Sequence, residues 1–139
     1  MKIGVLGAGT MGSGIAQVAA QNEHEVVLVD LSQEMLTKAE ISLDKVLARL
    51  VEKESISEDD KINIQGRITY STDVKDFKSC GMIIEAIVEN LGVKHKVFAE
   101  IESIVSENCI LASNTSSLSI ASIGSVLKKP ERVIGIHFF

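Results

Sequence analysis

Three glycines near the start of the chain are spaced as Gly7-x-Gly9-x-x-Gly12. In this pattern Gly7 permits a tight turn, Gly9 lets the backbone approach a pyrophosphate, and Gly12 lets a helix pack against the preceding strand. The N-terminus of that helix would offer unpaired N–H groups and a positive dipole end to the phosphates. Because an apolar run at residues 3–6 precedes the glycines and a helical stretch follows them, the spacing predicts a dinucleotide-binding loop.

An acidic residue follows the next apolar run of the chain. The run at residues 25–30 ends in Asp30, eighteen residues after Gly12, which is close to the offset of roughly 20 residues at which an acid binds the adenosine ribose. A carboxylate there repels a 2′-phosphate, and Leu31 and Ser32 supply no arginine to bind one. The pattern predicts NAD rather than NADP. The alternative is a glycine turn with an ordinary surface aspartate after a strand.

Short apolar runs alternate with helical stretches along the chain, which indicates a parallel sheet with crossover helices. Strands are predicted at residues 3–6, 25–30, 67–70, 81–86, 109–112 and 132–137. Helices are predicted at residues 11–21, 33–54, 91–106 and 118–127, with a short one after Ser57 and a turn at residues 73–77. The long second helix has Ser32 as its predicted N-cap and an apolar stripe of Leu36, Ala39, Leu43, Val46, Leu47 and Leu50.

Five or six parallel strands with helices between them make a doubly wound α/β sheet. Ligands of such sheets bind beyond the carboxyl ends of the strands, where the strand order reverses. The predicted tips at that edge are residues 7–12, Asp30, residues 86–90, residues 113–117 and His137. These segments are therefore the candidates for chemistry.

Composition limits the classes of function. With 139 residues, the chain is the size of about one domain. A net charge of −5 does not favour nucleic acid or an anionic membrane as a partner. No apolar run approaches the roughly 20 residues of a membrane span, and because the chain opens directly on a predicted strand we expect no signal peptide. Cys80 and Cys109 have no metal or redox spacing, so we expect reduced thiols in or near the core of a cytoplasmic protein without a metal.

Four segments at the predicted strand tips match one known family in order and spacing. They are Gly7-Ala-Gly-Thr-Met-Gly12, Glu85-Ala-Ile-Val-Glu-Asn90, Ala112-Ser-Asn-Thr-Ser-Ser-Leu118 and Gly135-Ile-His-Phe-Phe139. Through them the whole chain resembles the L-3-hydroxyacyl-CoA dehydrogenase family. The pairing of the serine-rich tip with His-Phe-Phe is the most specific part, because many other dinucleotide-binding proteins share the glycine loop.

The resemblance implies a Rossmann domain of an NAD-dependent oxidoreductase. Such an enzyme transfers a hydride between NAD(H) and C3 of a short-chain (S)-3-hydroxyacyl-CoA, such as 3-hydroxybutyryl-CoA, or its 3-oxoacyl counterpart. His137 would be the general acid/base, Ser116 would hydrogen-bond the substrate's 3-oxygen, and Lys53 would meet the phosphates of coenzyme A. Histidine suits this role since its unperturbed pKa lies nearest neutral pH. The implied cofactor contacts are Gly7, Gly9, Thr10, Met11, Gly12, Asp30, Glu89, Lys94 and Asn114.

The residues at the later tips also have simpler interpretations. His137 could cap a core strand. Ser116 and Ser117 could be helix N-caps, and we expect one of them to be. Glu89 and Lys94 could form a solvated ion pair at the start of a helix.

Three further residues receive no chemical role from the sequence. Glu85 lies in an apolar strand and could be structural. His24 precedes a strand, His95 falls on the surface of a predicted helix, and neither has an evident partner.

Two other functions compete with the first. A dehydrogenase of free β-hydroxyacids would use a lysine on a later helix and would lack the Ser-Ser and His-Phe-Phe pairing. A non-catalytic NAD(H) sensor would need the glycine loop and Asp30 but neither Ser116 nor His137.

The family pattern continues beyond Phe139. The resemblance implies a later glutamate that orients the histidine, and a helical C-terminal domain that completes the pocket and forms a homodimer. We therefore expect a truncated domain, residues 1–139, that folds and binds NAD(H) but turns over little substrate. The sequence leaves acyl chain length and physiological direction open.

Overall fold

Six short strands form one parallel sheet in the computed structural model, which describes residues 1–138. The strands are β1 (Lys2–Leu6), β2 (Glu25–Val29), β3 (Ile68–Ser71), β4 (Met82–Glu85), β5 (Ile110–Ser113) and β6 (Val133–Gly135). Their order across the sheet is β3-β2-β1-β4-β5-β6, and every neighbouring pair is parallel. The order reverses between β1 and β4, so the predicted doubly wound α/β fold is confirmed.

Five helices connect the strands within the described part of the chain. They are α1 (Thr10–Gln21), α2 (Gln33–Glu52), α3 (Glu58–Gly66), α4 (Leu91–Ile104) and α5 (Ile120–Gly124), with 3-10 turns at Val74–Phe77 and Pro130–Arg132. Side-chain caps begin four of them: Ser32 accepts from the Met35 N–H at 3.3 Å, Ser57 forms a capping box with Asp60, Asn90 accepts from the Val93 N–H at 3.0 Å, and Ser119 caps α5. These caps satisfy N–H groups that have no partner inside the helix.

The sheet is covered on both faces, which gives two apolar layers. Alternate residues of β2 show the division: Val26 and Leu28 join the layer that contains Leu36 of α2, while Val27 and Val29 join the other. Since successive strand side chains point to opposite faces, a strand buried on both sides reads as a continuous apolar run. The second layer contains Phe77, Ile83, Phe98, Ile101, Leu111 and Ile123.

The last two predicted elements are shorter than the sequence indicated. The helix predicted at residues 118–127 is confined to α5, and the strand predicted at 132–137 is confined to β6. The expected N-cap at Ser116 or Ser117 is wrong, because Ser119 caps α5 by accepting from the Ser122 N–H at 3.2 Å. The Ser117 hydroxyl is bonded elsewhere, to Glu89. The Phe139 end of the His-Phe-Phe segment lies outside the described residues.

Both cysteines are buried and neither forms a disulfide, as predicted. Burial raises the pKa of the Cys80 thiol to about 11, so it is a poor nucleophile at neutral pH. None of the helices within residues 1–138 is both long and apolar enough to cross a bilayer.

Candidate cofactor and active site

The glycine turn lies between β1 and α1, next to the tip of β4. Gly7 has φ +106°, a backbone conformation that other residues rarely adopt, and a Cβ there would lie 2.6 Å from the Ala86 carbonyl oxygen. A Cβ on Gly12 would lie 1.7 Å from the Gly7 carbonyl oxygen. The protein's own backbone therefore demands these two glycines. Gly9 differs, since no atom lies within 4 Å of a Cβ built there.

Asp30 lies directly after β2 and faces this turn. One carboxylate oxygen accepts from the Ala8 N–H and the other from the Ser32 N–H, both at 2.9 Å. The aspartate thus ties the glycine loop to the start of α2 while remaining partly exposed. Its position beside the loop is the one that a ribose-binding acid requires.

An apolar cleft of about 390 Å³ opens beside Asp30. Leu31 and Val88 are 86% and 68% exposed, and they line the cleft together with Val74, Val93 and Val97. Sequence reasoning missed these residues. The available signal was that large apolar side chains follow two strands of the sheet within three residues, since a contiguous exposed apolar patch is typical of a ligand site.

These features fit a bound dinucleotide. Gly9 is the N-cap of α1 and gives it no side-chain cap, so the first N–H groups of the helix can bind phosphate. The space beside Gly9 is where a pyrophosphate would lie, which explains a glycine that the protein's own packing does not require. Thr10 and Met11 are exposed in the same first turn. The adenosine half would then occupy the apolar cleft with its ribose at Asp30.

The other half of the edge is built on a buried carboxylate, Glu85 at the end of β4. It is fully buried and accepts from Lys94 Nζ at 2.6 Å, from the Ile87 N–H at 2.7 Å and from Ser113 Oγ at 2.6 Å. Lys94 is only 1% exposed, and its Nζ also lies 3.2 Å from Glu89 Oε1. The alternative of a solvated Glu89–Lys94 ion pair is therefore wrong. Lys94 lies below the surface, between the buried Glu85 and the more exposed Glu89.

Glu89 connects the β4 tip to the serine-rich tip after β5. Its Oε2 accepts from Thr115 Oγ1 and from Ser117 Oγ, each at 2.6 Å. These hydroxyl bonds, aided by Lys94, lower the pKa of Glu89 to about 2. A carboxylate is therefore maintained at this position throughout the physiological pH range.

The predicted residues Asn114, Ser116 and His137 lie around the same tip. Ser116 is exposed between the two hydroxyls that bind Glu89, and its own hydroxyl has no hydrogen-bond partner among residues 1–138. The segment around His137 is attached to β5, since the Ile136 N–H donates to the Ser113 carbonyl at 3.0 Å and the Phe138 N–H donates to Asn114 Oδ1 at 3.2 Å. His137 is exposed between these two attachments.

The candidate Lys53 and the two histidines without an assigned role lie elsewhere. Lys53 follows the end of α2, and a helix of 20 residues spans about 30 Å, so Lys53 is far from Ser32 and the strand tips around it. His95 has a partner that the sequence did not reveal: its Nε2 lies 2.6 Å from the Ser122 carbonyl oxygen, which joins α4 to α5. His24 lies before β2, at the opposite edge of the sheet from the tips.

Comparison with known proteins agrees with this geometry. Residues 2–139 match the family described as "3-hydroxyacyl-CoA dehydrogenase, NAD binding domain". The chain is 44% identical over 138 residues to a probable 3-hydroxybutyryl-CoA dehydrogenase of Deinococcus radiodurans, covering 99% of this chain and 49% of that protein. It is 43% identical to the 3-hydroxybutyryl-CoA dehydrogenase of Clostridioides difficile, covering all of this chain and 50% of that protein.

A solved structure shows that the similarity extends to the fold. The (S)-3-hydroxybutyryl-CoA dehydrogenase PaaH1 from Ralstonia eutropha superposes with a TM-score of 0.95 at 43% identity, over 99% of this chain and 49% of that one. The chain thus spans about half the length of the curated relatives it matches. The glycine turn, Asp30 and the serine-rich tip lie within the matched region, and the chain belongs to the 3-hydroxyacyl-CoA dehydrogenase family as its NAD-binding domain.

Proposed function

We propose that this chain forms the cofactor-binding part of an NAD-dependent oxidoreductase that interconverts a short-chain (S)-3-hydroxyacyl-CoA and the 3-oxoacyl-CoA. The pair 3-hydroxybutyryl-CoA and acetoacetyl-CoA is the proposed example, since relatives with that printed name are among the most similar to this chain. The asymmetry of the edge supports the proposal: one half fits the adenosine and phosphates of a dinucleotide, and the other presents a serine and a histidine at neighbouring strand tips.

The proposed mechanism assigns one task to each group. NAD, when bound, supplies the hydride acceptor. In the oxidative direction His137 accepts the proton of the C3 hydroxyl as the hydride leaves that carbon, and in the reductive direction it returns the proton to the oxygen. Ser116 donates a hydrogen bond to the same oxygen and orients it. Asp30 holds the adenosine ribose, and the first turn of α1 holds the phosphates.

The single observation that carries the proposal is that three consecutive hydroxyl side chains differ in their hydrogen bonding. Thr115 and Ser117 are both bound to Glu89, while the exposed hydroxyl of Ser116 between them has no hydrogen-bond partner among residues 1–138. Glu89 thereby fixes the loop and leaves one hydroxyl available for a ligand. A loop with only a structural role would not require the Ser116 hydroxyl to be kept apart from Glu89, the partner of Thr115 and Ser117.

Substitution of the two proposed groups tests the function. The variants are made in this chain joined after Phe139 to the half of the Clostridioides difficile relative that it does not cover. We expect His137→Ala to lower turnover of acetoacetyl-CoA by about a thousandfold and Ser116→Ala by about tenfold to a hundredfold, with NADH affinity unchanged. His24→Ala, at the opposite edge of the sheet, is the matched control and should retain turnover.

The outcome separates the enzyme from a sensor. If NADH binds and the two variants turn over substrate like the parent, neither residue acts as proposed. If the parent binds NADH but has no acyl-CoA-dependent turnover, the chain is better described as an NAD(H)-sensing module. The contact of Lys53 with coenzyme A phosphates and the homodimer remain predictions, for which substrate KM of Lys53→Ala and the mass in solution are the respective tests.

A further inference from the structure

Glu85 is a buried charge that the proposed mechanism does not use. The residue closes β4 among apolar neighbours, with Ile83 and Ile84 before it, and none of its surface is exposed. Burying a carboxylate is costly unless it is paired and hydrogen-bonded. Three donors meet that condition, and they come from three different segments: Ile87 in the loop after β4, Lys94 in α4 and Ser113 at the tip of β5.

These bonds fix the geometry of two tips relative to each other. Ser113 Oγ donates to Glu85 Oε1 and accepts from the Thr115 N–H at 3.3 Å, so the first turn of the serine-rich loop starts from Glu85. On the other side, Lys94 bridges Glu85 and Glu89. The Glu89 carboxylate then binds the hydroxyls of that same loop. The result is a closed ring of polar contacts with Glu85 at its base.

The ring depends on its charge distribution. One fully buried ammonium lies between two carboxylates, of which Glu85 is fully buried and Glu89 is 40% exposed. If Glu85 were replaced by a neutral side chain, Lys94 would have only the more exposed Glu89 as a partner. The buried ammonium would then move toward Glu89 and solvent. Glu89 and the loop bound to it would lose their defined position.

The adenosine half of the site borders this ring at Ile87, which donates to Glu85 and also lines the apolar cleft, but its glycine turn and Asp30 are held by contacts of their own. The glycine turn is held by Gly7 donating to the Val29 carbonyl at 2.8 Å and by Asp30 accepting from Ala8. In a doubly wound sheet one nucleotide lies over each half. With the adenosine at β1 and β2, the nicotinamide half lies over β4 and β5, where the ring is.

We propose that Glu85 is a positioning residue for the nicotinamide half of the cofactor, acting through Lys94 and Ser113 on Glu89 and the serine-rich loop. It touches neither substrate nor cofactor. Its removal is expected to weaken binding of the nicotinamide half much more than binding of the adenosine and pyrophosphate.

The test compares two ligands that differ in the nicotinamide group. NADH contains it and ADP-ribose lacks it, and both are titrated calorimetrically into the 139-residue chain and its variants. We expect Glu85→Gln to weaken NADH binding by about tenfold and to change ADP-ribose binding by less than about twofold. Thermal unfolding of every variant is measured alongside.

Glu102→Gln is the matched control. Like Glu85, Glu102 accepts from backbone N–H groups, here of Lys128 and Lys129, and pairs with a cation, Arg132, but within residues 1–138 it has no hydrogen bond or ion pair with the ring. This variant should lower the melting temperature and leave the affinities for both ligands unchanged.

Two further variants decide the matter if Glu85→Gln does not fold. Ser113→Ala removes one of the three donors and should weaken NADH binding selectively by about threefold. Glu85→Gln combined with Lys94→Met removes the buried charge imbalance, so it should fold and bind both ligands, but without the parent's preference for NADH over ADP-ribose.

Because the inference rests on the proposed function, its failure must be distinguishable from failure of that function. If the parent chain prefers NADH over ADP-ribose and the folded variants keep that preference, the role of Glu85 is overturned alone. A parallel loss of both ligands would mean that Glu85 serves stability only. If the parent itself does not discriminate between the ligands, the placement of nicotinamide over the ring fails and the role of Glu85 with it, while the proposed function is decided separately by turnover of acetoacetyl-CoA.

Discussion

Glu89 shows how single residues at this edge are held in one protonation state. Its carboxylate accepts two hydroxyl hydrogen bonds and lies beside Lys94. The bonds from Ser117 and Thr115 are the largest causes of the lowered pKa, about 2 against an ordinary 4.5. The charge of this residue is therefore linked to the folding of the serine-rich loop.

The first prediction concerns stability in acid. Between about pH 4.5 and about pH 2 the unfolded chain binds a proton at Glu89 that the folded chain does not, so this group's contribution to the free energy of unfolding is present above the window and is lost as the pH falls through it. Urea unfolding across this range should show a shallower decline for Glu89→Gln than for the parent. Ser117→Ala, which removes the largest cause, should give an intermediate slope. Equal slopes in all three proteins would contradict this assignment.

Contacts between residues that lie close together in the sequence could be predicted. Contacts between residues that only the fold brings together could not. The glycine loop and Asp30 have fixed offsets along one strand-helix-strand unit, so their pattern is readable. Glu85, Lys94 and Ser113 are brought together by a helix and by strand pairing. In the sequence Glu85 looked like an isolated acid in an apolar strand, because burial of a charge becomes intelligible only with its partners in place.

The glycine turn is the element on which the proposed cofactor binding depends. Its glycines differ in whether the protein's own backbone leaves room for a side chain. Gly12 is constrained by the backbone of Gly7, whereas Gly9 has open space beside it and an extended backbone with φ −71° that alanine adopts readily. Gly14, in α1, also has open space beside it. Substitutions at these three positions can therefore distinguish an effect on folding from an effect on NADH binding.

Alanine substitutions at these positions form the second prediction. Gly12→Ala should destabilise the fold by about 3 kcal/mol, since its Cβ would overlap the backbone. Gly9→Ala should fold but lose NADH affinity by at least about tenfold, because its methyl group occupies the pyrophosphate site. Gly14→Ala should bind NADH normally and gain about 0.5 kcal/mol of stability from the better helix former. Thermal unfolding and NADH fluorescence titration measure both properties. Retention of full NADH affinity by Gly9→Ala would exclude the proposed phosphate position.

At the level of elements, regular segments were predictable and irregular ones were not. The period of apolar residues located the strands and the long helices to within a few residues. It extended the last helix and strand too far, because α5 starts only after a loop whose hydroxyls are bound to Glu89 and to the Leu118 N–H. Side-chain hydrogen bonds of this kind compete with helix formation and leave no trace in the apolar period.

The whole molecule places two chemically different halves along one edge. The reversal of strand order between β1 and β4 opens a crevice, with a surface that fits phosphate and ribose groups on one side and polar side chains arranged on the other. The topology alone would suit any dinucleotide enzyme, because fold does not determine function. The serine-rich tip and the histidine attached to it direct the proposal toward hydroxyacyl-CoA chemistry.

The most direct test of the central claim is the oxidation of NADH on addition of acetoacetyl-CoA, followed by near-ultraviolet absorbance. It is run on this chain and on the chain joined after Phe139 to the half of the Clostridioides difficile relative that it does not cover. We predict NADH binding by both proteins and sustained oxidation by the joined protein, with little by the 139-residue chain. A joined protein that binds NADH but does not oxidise it when acetoacetyl-CoA is added would contradict the proposed function.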